Sequence, residues 1–353
     1  MGTNWKRILS LPQNDVLGLD IGSSMVRLVQ LAKNNGSYNV VAAAVKDIEY
    51  SEDDMDSRET SAAEAVKKCI KLVATHCRYA VCSVSGPEVA VRHFSFPALQ
   101  PEELEGAVRL EASQVCPFNV DDGVVDYQVA EKSDQDNTAT GVLVAAPGEI
   151  VARKLRIVKK TGLSCVLMDV DGLALLNCLA AGRNDDAIYS TAVLDLGASC
   201  AMLAIMGENR LPFVRTVPYG GNEIVSKIAD EIGLTPEDVK KQLFNTADAS
   251  TPDEQLEKSF ENTCHKLISY VAESLRYHSA QQKSSRVGEI LVCGSFGMAR
   301  GFIDILNKHL PLKATLWNPF DTMHCNVGRN YLNVIQAKGP TMVVAAGLAM
   351  RSI

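Results

Sequence analysis

Two stretches 175 residues apart repeat one order of parts: Val16-Leu17-Gly18-Leu19-Asp20-Ile21-Gly22-Ser23-Ser24 and Ala192-Val193-Leu194-Asp195-Leu196-Gly197-Ala198-Ser199. In each, an apolar run delivers an aspartate, the chain turns over a glycine and a hydroxyl residue, and a second apolar run leads away. Short apolar runs bounded by Gly and Ser read as strands joined by a tight turn. A third apolar run follows each pair, at 38–45 and at 211–217. A repeat at about half the chain length points to a duplicated domain rather than to a short-repeat array. The length of 353 residues agrees, because single cores stop growing at roughly 250–300 residues.

The repeated turns are equipped for chemistry. Gly22 lets the backbone approach a ligand, Ser23 and Ser24 bring hydroxyl and amide donors, and successive turn amides can form an anion nest. Asp20, at a strand end, can hold the water shell of a magnesium ion, which keeps several waters and takes few carboxylates. The same turn also occurs in ordinary hairpins without a ligand. Its recurrence at Asp195, Gly197 and Ser199 favours a clamp: halves packed face to face bring both turns to one phosphate chain.

Between the turns, 61–74 repeats apolar residues at helical spacing and 80–84 reads as a buried strand. An insertion with its own rhythm is expected at 89–160. It holds a strand at 89–96, a helix at 101–115 opened by Pro101-Glu102-Glu103, strands at 124–129 and 140–146 around a polar loop at 131–138, and a helix at 148–160. Residues 165–170 return to the main sheet, and the apolar helix 171–181 crosses to the second half. The first domain is thus expected at 1–88 and 161–182. The second is expected at 183–353, with a helical subdomain near 233–285.

In the second half, Gly220-Gly221-Asn222 open a helix and offer free amides and the positive end of a dipole to an anion. Thr235-Pro236-Glu237-Asp238 is a second helix start, and a long helix is expected over 256–282. The strand 287–293 ends in Gly294-Ser295-Phe296-Gly297, another glycine turn into a helix, and 340–350 carries small residues suited to close packing.

Composition narrows the field. Hydrophobic residues are 46% and charged residues 22%, a globular balance, and the net charge of -7 gives no nucleic-acid footprint. The ten cysteines include no Cys-x-x-Cys, and most sit in apolar segments; His324-Cys325 and Cys264-His265 are adjacent pairs rather than ligand spacings. A structural zinc site is therefore not expected from them. Residues 1–11, with Lys6 and Arg7 among Trp5, Ile8, Leu9 and Leu11, are too short an apolar run for a signal peptide. They read as a helix packed on the body or as an amphipathic surface anchor. No run approaches the ~20 apolar residues of a membrane span, so a cytoplasmic location is expected.

Two Asp-x-Gly-x-Ser hairpins, Gly220-Gly221-Asn222, Gly294-Ser295-Phe296-Gly297 and the ending Ala346-Gly347-Leu348-Ala349-Met350-Arg351, in this order, resemble the actin-like ATPase superfamily. The helix running into Cys116-Pro117-Phe118 and the segment Val125-Asp126-Tyr127 are similar, within it, to the PilM family of type IV pilus assembly. The resemblance spans nearly the whole chain. It implies an α/β, actin-like (duplicated ribonuclease H-like) two-domain fold with a small α+β insertion in the first half.

It also implies site roles. Asp20, Gly22, Ser23 and Ser24 would form the first phosphate loop, and Asp195, Gly197 and Ser199 the second, with Asp20 and Asp195 near magnesium through water and Arg27 also at the cofactor. Gly220, Gly221, Asn222, Glu237 and Lys240 would approach the nucleoside of ATP, and Gly294, Ser295 and Phe296 would line its adenine side. The family more often has Lys at the position of Arg27, which keeps the charge and changes its geometry, and commonly two glycines where this chain has Gly294-Ser295. Asp169 and Asp171 are candidates, by position, for orienting an attacking water, against the plainer role of a helix cap.

The implied function is a cytoplasmic, ATP-binding scaffold of the inner-membrane assembly complex. Its insertion would grip the cytoplasmic N-terminal tail of a PilN-type membrane protein, with membrane association through partners. Other pilus platform and motor proteins are implied as neighbours, and a homo-oligomer stays open, as does weak ATPase activity. The alternatives are a small-molecule kinase of the same fold, for which no substrate loop with an acidic base is evident, and a GspL-like type II secretion component.

Overall fold

The structure is a computed structural model. It describes residues 16–34, 36–50, 54–97, 99–133, 137–182, 190–206, 211–244, 254–281, 286–325 and 329–351. The expected helix or anchor within 1–11 lies outside the described residues.

The chain opens with β1 (Val16–Ile21), β2 (Met25–Asn34) and β3 (Ser37–Asp47), followed by α1 (Met55–Val73) and β4 (Tyr79–Val84). The insertion brings β5 (Ala90–Pro97), α2 (Pro101–Val115), β6 (Gly123–Ser133) and β7 (Thr138–Pro147). Then come α3 (Gly148–Lys160), β8 (Ser164–Val170) and α4 (Asp171–Ala181). The second half holds β9 (Ser190–Leu196), β10 (Ala201–Met206), β11 (Pro212–Val217), α5 (Gly221–Ile232), α6 (Pro236–Phe244) and α7 (Glu254–Gln281). It closes with β12 (Val287–Cys293), α8 (Phe302–His309), β13 (Lys313–Leu316), α9 (Arg329–Lys338) and α10 (Val343–Ala349).

The duplication expected from the repeated turns is present in the topology. One five-stranded sheet runs β3-β2-β1-β4-β8 and the other β11-β10-β9-β12-β13. In both, the first three strands pair antiparallel and the last two join in parallel. β1 and β9 are the central strands, apolar on both faces because helices cover both. Each therefore ends its buried run at the aspartate turn.

α1 starts six residues earlier than the apolar period suggests. The Asp54 side chain accepts from the Ser57 N–H and caps it, so a polar stretch without apolar period forms the first turns. α3 carries Ile157 and Val158 into the same core as Leu17, Leu28, Val66 and Cys69. The three-stranded sheet β5-β7-β6 packs with α2 over a separate core of Phe94, Leu104, Val108, Ala112, Val120 and Leu143. The range 89–160 expected for the insertion thus takes in a helix whose buried face serves the first large sheet.

The halves exchange helices. α4, at the end of the first half, packs on β10 and β11 of the second sheet; α10, at the end of the second, packs on β1 and β2 of the first. The two helices cross in direct contact. A Cβ on Gly347 of α10 would lie 1.8 Å from the Ala174 carbonyl oxygen of α4, and a Cβ on Gly18 of β1 would lie 2.0 Å from the Ala345 carbonyl oxygen. The backbones touch where side chains would otherwise hold them apart. Gly347→Ala should accordingly lower the unfolding free energy by about 2–3 kcal/mol through overpacking. Gly106→Ala, on open helix surface, should raise it by about 0.5–1 kcal/mol. Denaturant titration of the two variants checks the pair.

Candidate functional site: a cleft between the two halves

The two repeated turns face one another across a cavity of about 430 Å³. Asp20, Gly22, Ser23, Ser24 and Arg27 line one side, and Asp195, Gly197 and Ser199 the other, with Asp171 between them. Each turn closes with the same bond, Gly22 N–H to the Met25 carbonyl at 3.0 Å and Gly197 N–H to the Cys200 carbonyl at 3.0 Å. The first is further pinned by Ile48 N–H on the Ser24 carbonyl (2.8 Å) and by the Tyr50 hydroxyl on the Ser23 carbonyl.

The turns differ in charge. Asp20 lies opposite Arg27 in the β1–β2 ladder, and the guanidinium donates to Asp20 Oδ2 at 2.9 Å in a buried pair whose Nε has no partner. At the matching place opposite Asp195 stands Met202. Asp195 has no cross-strand cation, and burial pushes its carboxyl up to about 7, with Arg27 pulling it down and Asp171 and Asp20 adding repulsion. Asp171 is pushed up to about 6, by burial first and then by the Asp20 charge, against the pull of Ser83, Lys154 and Ser85. Three carboxylates that repel one another on the floor of a polar cleft form an oxygen donor set fit for a hydrated divalent cation.

The sequence reading missed the basic wall of the cleft. Arg153 and Lys154 on α3 and Arg58 on α1 line it, and Lys154 Nζ donates to the Ile21 carbonyl at the end of β1. α3 is held there by Glu59, buried on α1, which accepts from Arg156 at 2.6 Å and from Lys160 at 3.4 Å. Those partners keep its carboxyl below the usual range. The only sequence signal for this wall was the run of basic residues along α3.

Other expected site residues fall elsewhere. Asp169 does not line the cleft; Arg351 Nε holds its Oδ2 at 2.6 Å and its Oδ1 accepts from the Val170 N–H. Of the two aspartates, Asp171 alone is placed to face a cleft ligand. Two amides of the Gly220-Gly221-Asn222 segment are not free: Gly221 N–H donates to the Gly197 carbonyl (3.0 Å) and Asn222 N–H to the Ala198 carbonyl (2.8 Å). This segment braces the second turn from behind. Phe296 is buried, its ring edge-on to Phe244, Phe260 and Phe302 and close over Gly221. Gly294, with φ +87°, packs against the Asp195 carboxylate, while Ser295 is part-buried beside it and Glu237 and Lys240 are exposed on α6. The structure gathers around the cleft the residues expected at a phosphate chain and leaves those expected at a nucleoside outside the cleft lining.

A duplicated sheet of this topology, with facing aspartate turns and exchanged helices, defines a two-domain actin-like fold. Over 96% of its length the chain superposes on 99% of a solved structure described as the PilM-PilN type IV pilus biogenesis complex, with a TM-score of 0.82 at 24% identity. Over 98% it matches 92% of the ethanolamine utilization protein EutJ from Carboxydothermus hydrogenoformans, with a TM-score of 0.57 at 14% identity. The family model described as type IV pilus assembly protein PilM matches residues 18–353. The chain belongs to the PilM family of type IV pilus assembly proteins.

A raised carboxyl makes a signed prediction. Asp195 binds its proton in the folded state up to about pH 7 and in the unfolded chain only up to about pH 4. Stability from this group is therefore present at low pH and lost as pH rises through about 7. In cation-free protein, Asp195→Asn should melt higher than wild type at pH 8, with the difference narrowing toward about pH 4. Melting curves across that range decide it, and an unchanged pH 8 midpoint would remove this account.

Proposed function

We propose that this member of the family is a nucleotide-responsive scaffold of type IV pilus assembly. It binds ATP with magnesium in the cleft and holds the N-terminal tail of a PilN-type membrane protein through its inserted subdomain. The observation that carries the nucleotide half is the facing pair of aspartate turns with a basic wall beside them. Ser23, Ser24 and the turn amides of 23–24 and 198–199 are donors for phosphate oxygens. Lys154 and Arg153 add charge-assisted donors. Asp171 and Asp195, with Asp20 behind them, would hold the water shell of magnesium, which supplies charge neutralisation at the phosphates. The cavity of about 430 Å³ is of ligand-pocket size.

The partner half of the proposal rests on the likeness to a structure described as a PilM-PilN complex and on the build of the insertion. Its core is separate, and its outer strand β6 has a ladder partner on one side, β7, among the described residues. Backbone groups on the other edge are open to an extended peptide. Among the described residues no helix is long and apolar enough to cross a membrane. A place at the inner membrane would thus come through the partner.

Turnover is secondary in this reading. Asp171, at the cleft floor with its carboxyl pushed up to about 6, is the group that can orient a water. The other cleft carboxylates are engaged, Asp20 by Arg27 and Glu59 by Arg156, or assigned to the cation, as Asp195 is, so slow hydrolysis without a small-molecule acceptor is expected.

Calorimetric titration with magnesium-ATP and with a PilN-type tail peptide tests both halves. Lys154→Ala should weaken ATP binding by about 10- to 100-fold, the span of one charge-assisted contact, and leave peptide binding in the nucleotide-free protein unchanged. Absence of peptide binding in both nucleotide states would sink the scaffold reading, and wild-type ATP affinity in Lys154→Ala would sink the basic-wall assignment.

A further inference from the structure

Outside the cleft lining, α7 and α8 meet at a cluster the nucleotide reading does not use. Glu261 and His265 are four residues apart on α7 and so lie on one face of that helix. His309, the last residue of α8, comes up against both. Its Nε2 lies 2.7 Å from Glu261 Oε1, and its ring centroid is 4.6 Å from that of His265, edge to face. The three residues offer one carboxylate oxygen and two imidazole nitrogens, all within 4.8 Å of one another.

Two imidazoles and a carboxylate form a donor set that suits zinc and its neighbours in the first transition series. Magnesium and calcium prefer all-oxygen shells. Metal–ligand bonds of about 2.0–2.1 Å at tetrahedral angles set donor atoms roughly 3.3 Å apart. Closing from the present separations asks only for rotamer adjustment, because His265 is exposed and the other two are part-buried. The exposed side leaves a fourth position for water.

One group competes. Lys308 Nζ also sits on Glu261 Oε1, at 2.6 Å, and its side chain is largely exposed. The ammonium neutralises the carboxylate in the absence of metal and can swing into solvent.

We propose that Glu261, His265 and His309 form a binding site for a zinc-class divalent ion, which ties the long helix α7 to α8 of the second domain. A metal here links the helical layer of the second half to the helix that packs on its edge strand β13. It would stiffen that half without entering the nucleotide cleft. Cysteine spacing gave no hint of it, since two donors share a helix turn and the third arrives 44 residues later from another helix.

The test uses the full chain stripped with a chelator, then titrated calorimetrically with zinc sulfate alone. Cobalt is used in parallel as a spectroscopic stand-in. One equivalent of zinc should bind and raise the melting temperature, and cobalt should give a visible spectrum without a thiolate charge-transfer band. That last point separates this site from the ten cysteines. His309→Ala and the surface variant His265→Ala should each weaken zinc binding at least about tenfold, by loss of one ligand in three. Lys308→Ala should tighten it by removing the competing cation. Magnesium-ATP affinity should be unchanged in all three. Absent zinc binding would overturn the proposal. So would binding that survives both histidine variants, or a cobalt spectrum dominated by thiolate.

Discussion

The close contact between α4 and α10 is the constraint on which the rest of this molecule depends. Each half gives its last helix to the other's sheet, and the two backbones touch at Gly347 and Ala174, while Gly18 lets α10 lie directly on β1. The core around this crossing draws residues from both halves, among them Val16, Val29, Leu175, Val193, Met202 and Ala346. Because β1 and β9 are central strands that end beside this core, fixing the crossing fixes the separation of the two aspartate turns. The cleft is thus a product of packing rather than of the turns themselves.

Charge is arranged unevenly across this frame. The first aspartate is answered within its own hairpin by Arg27, whereas the second faces Met202 across its ladder and stays electrostatically unsatisfied. Asp171, delivered to the same place by the start of α4, adds to the imbalance. A buried polar site left with surplus negative charge favours protons or a cation. The basic wall from α3 supplies the opposite sign on the same cleft. Arg27 brings a planar, permanently charged group to the cleft wall, where Asp20 holds it.

Much of this was legible in the chain because it is local. Strand and turn order, the capped start of α6, the crossing helix and the insertion all follow from period, punctuation and repeat. Lys154 was not legible: its importance comes from β1 ending under α3, 133 residues away in sequence. Gly221 and Asn222 were read as offering free amides because a helix N-terminus has them by rule. The structure assigns those amides to the Gly197 and Ala198 carbonyls, a long-range pairing that no local pattern announces. Phe296 and Asp169 share this history. The first is drawn into an aromatic core and the second is neutralised by Arg351 from the far end of the chain.

The sequence by itself determined that there are two like halves, that each carries an aspartate turn, and that a small α+β unit interrupts the first. These properties reside in residue type and spacing over a few positions. Only the tertiary structure decided which donors face the cleft, which aspartate is already paired, and that a basic helix forms its wall. Those outcomes depend on how distant segments pack, and packing is settled by the volume and backbone approach of residues that carry no chemical signature of their own.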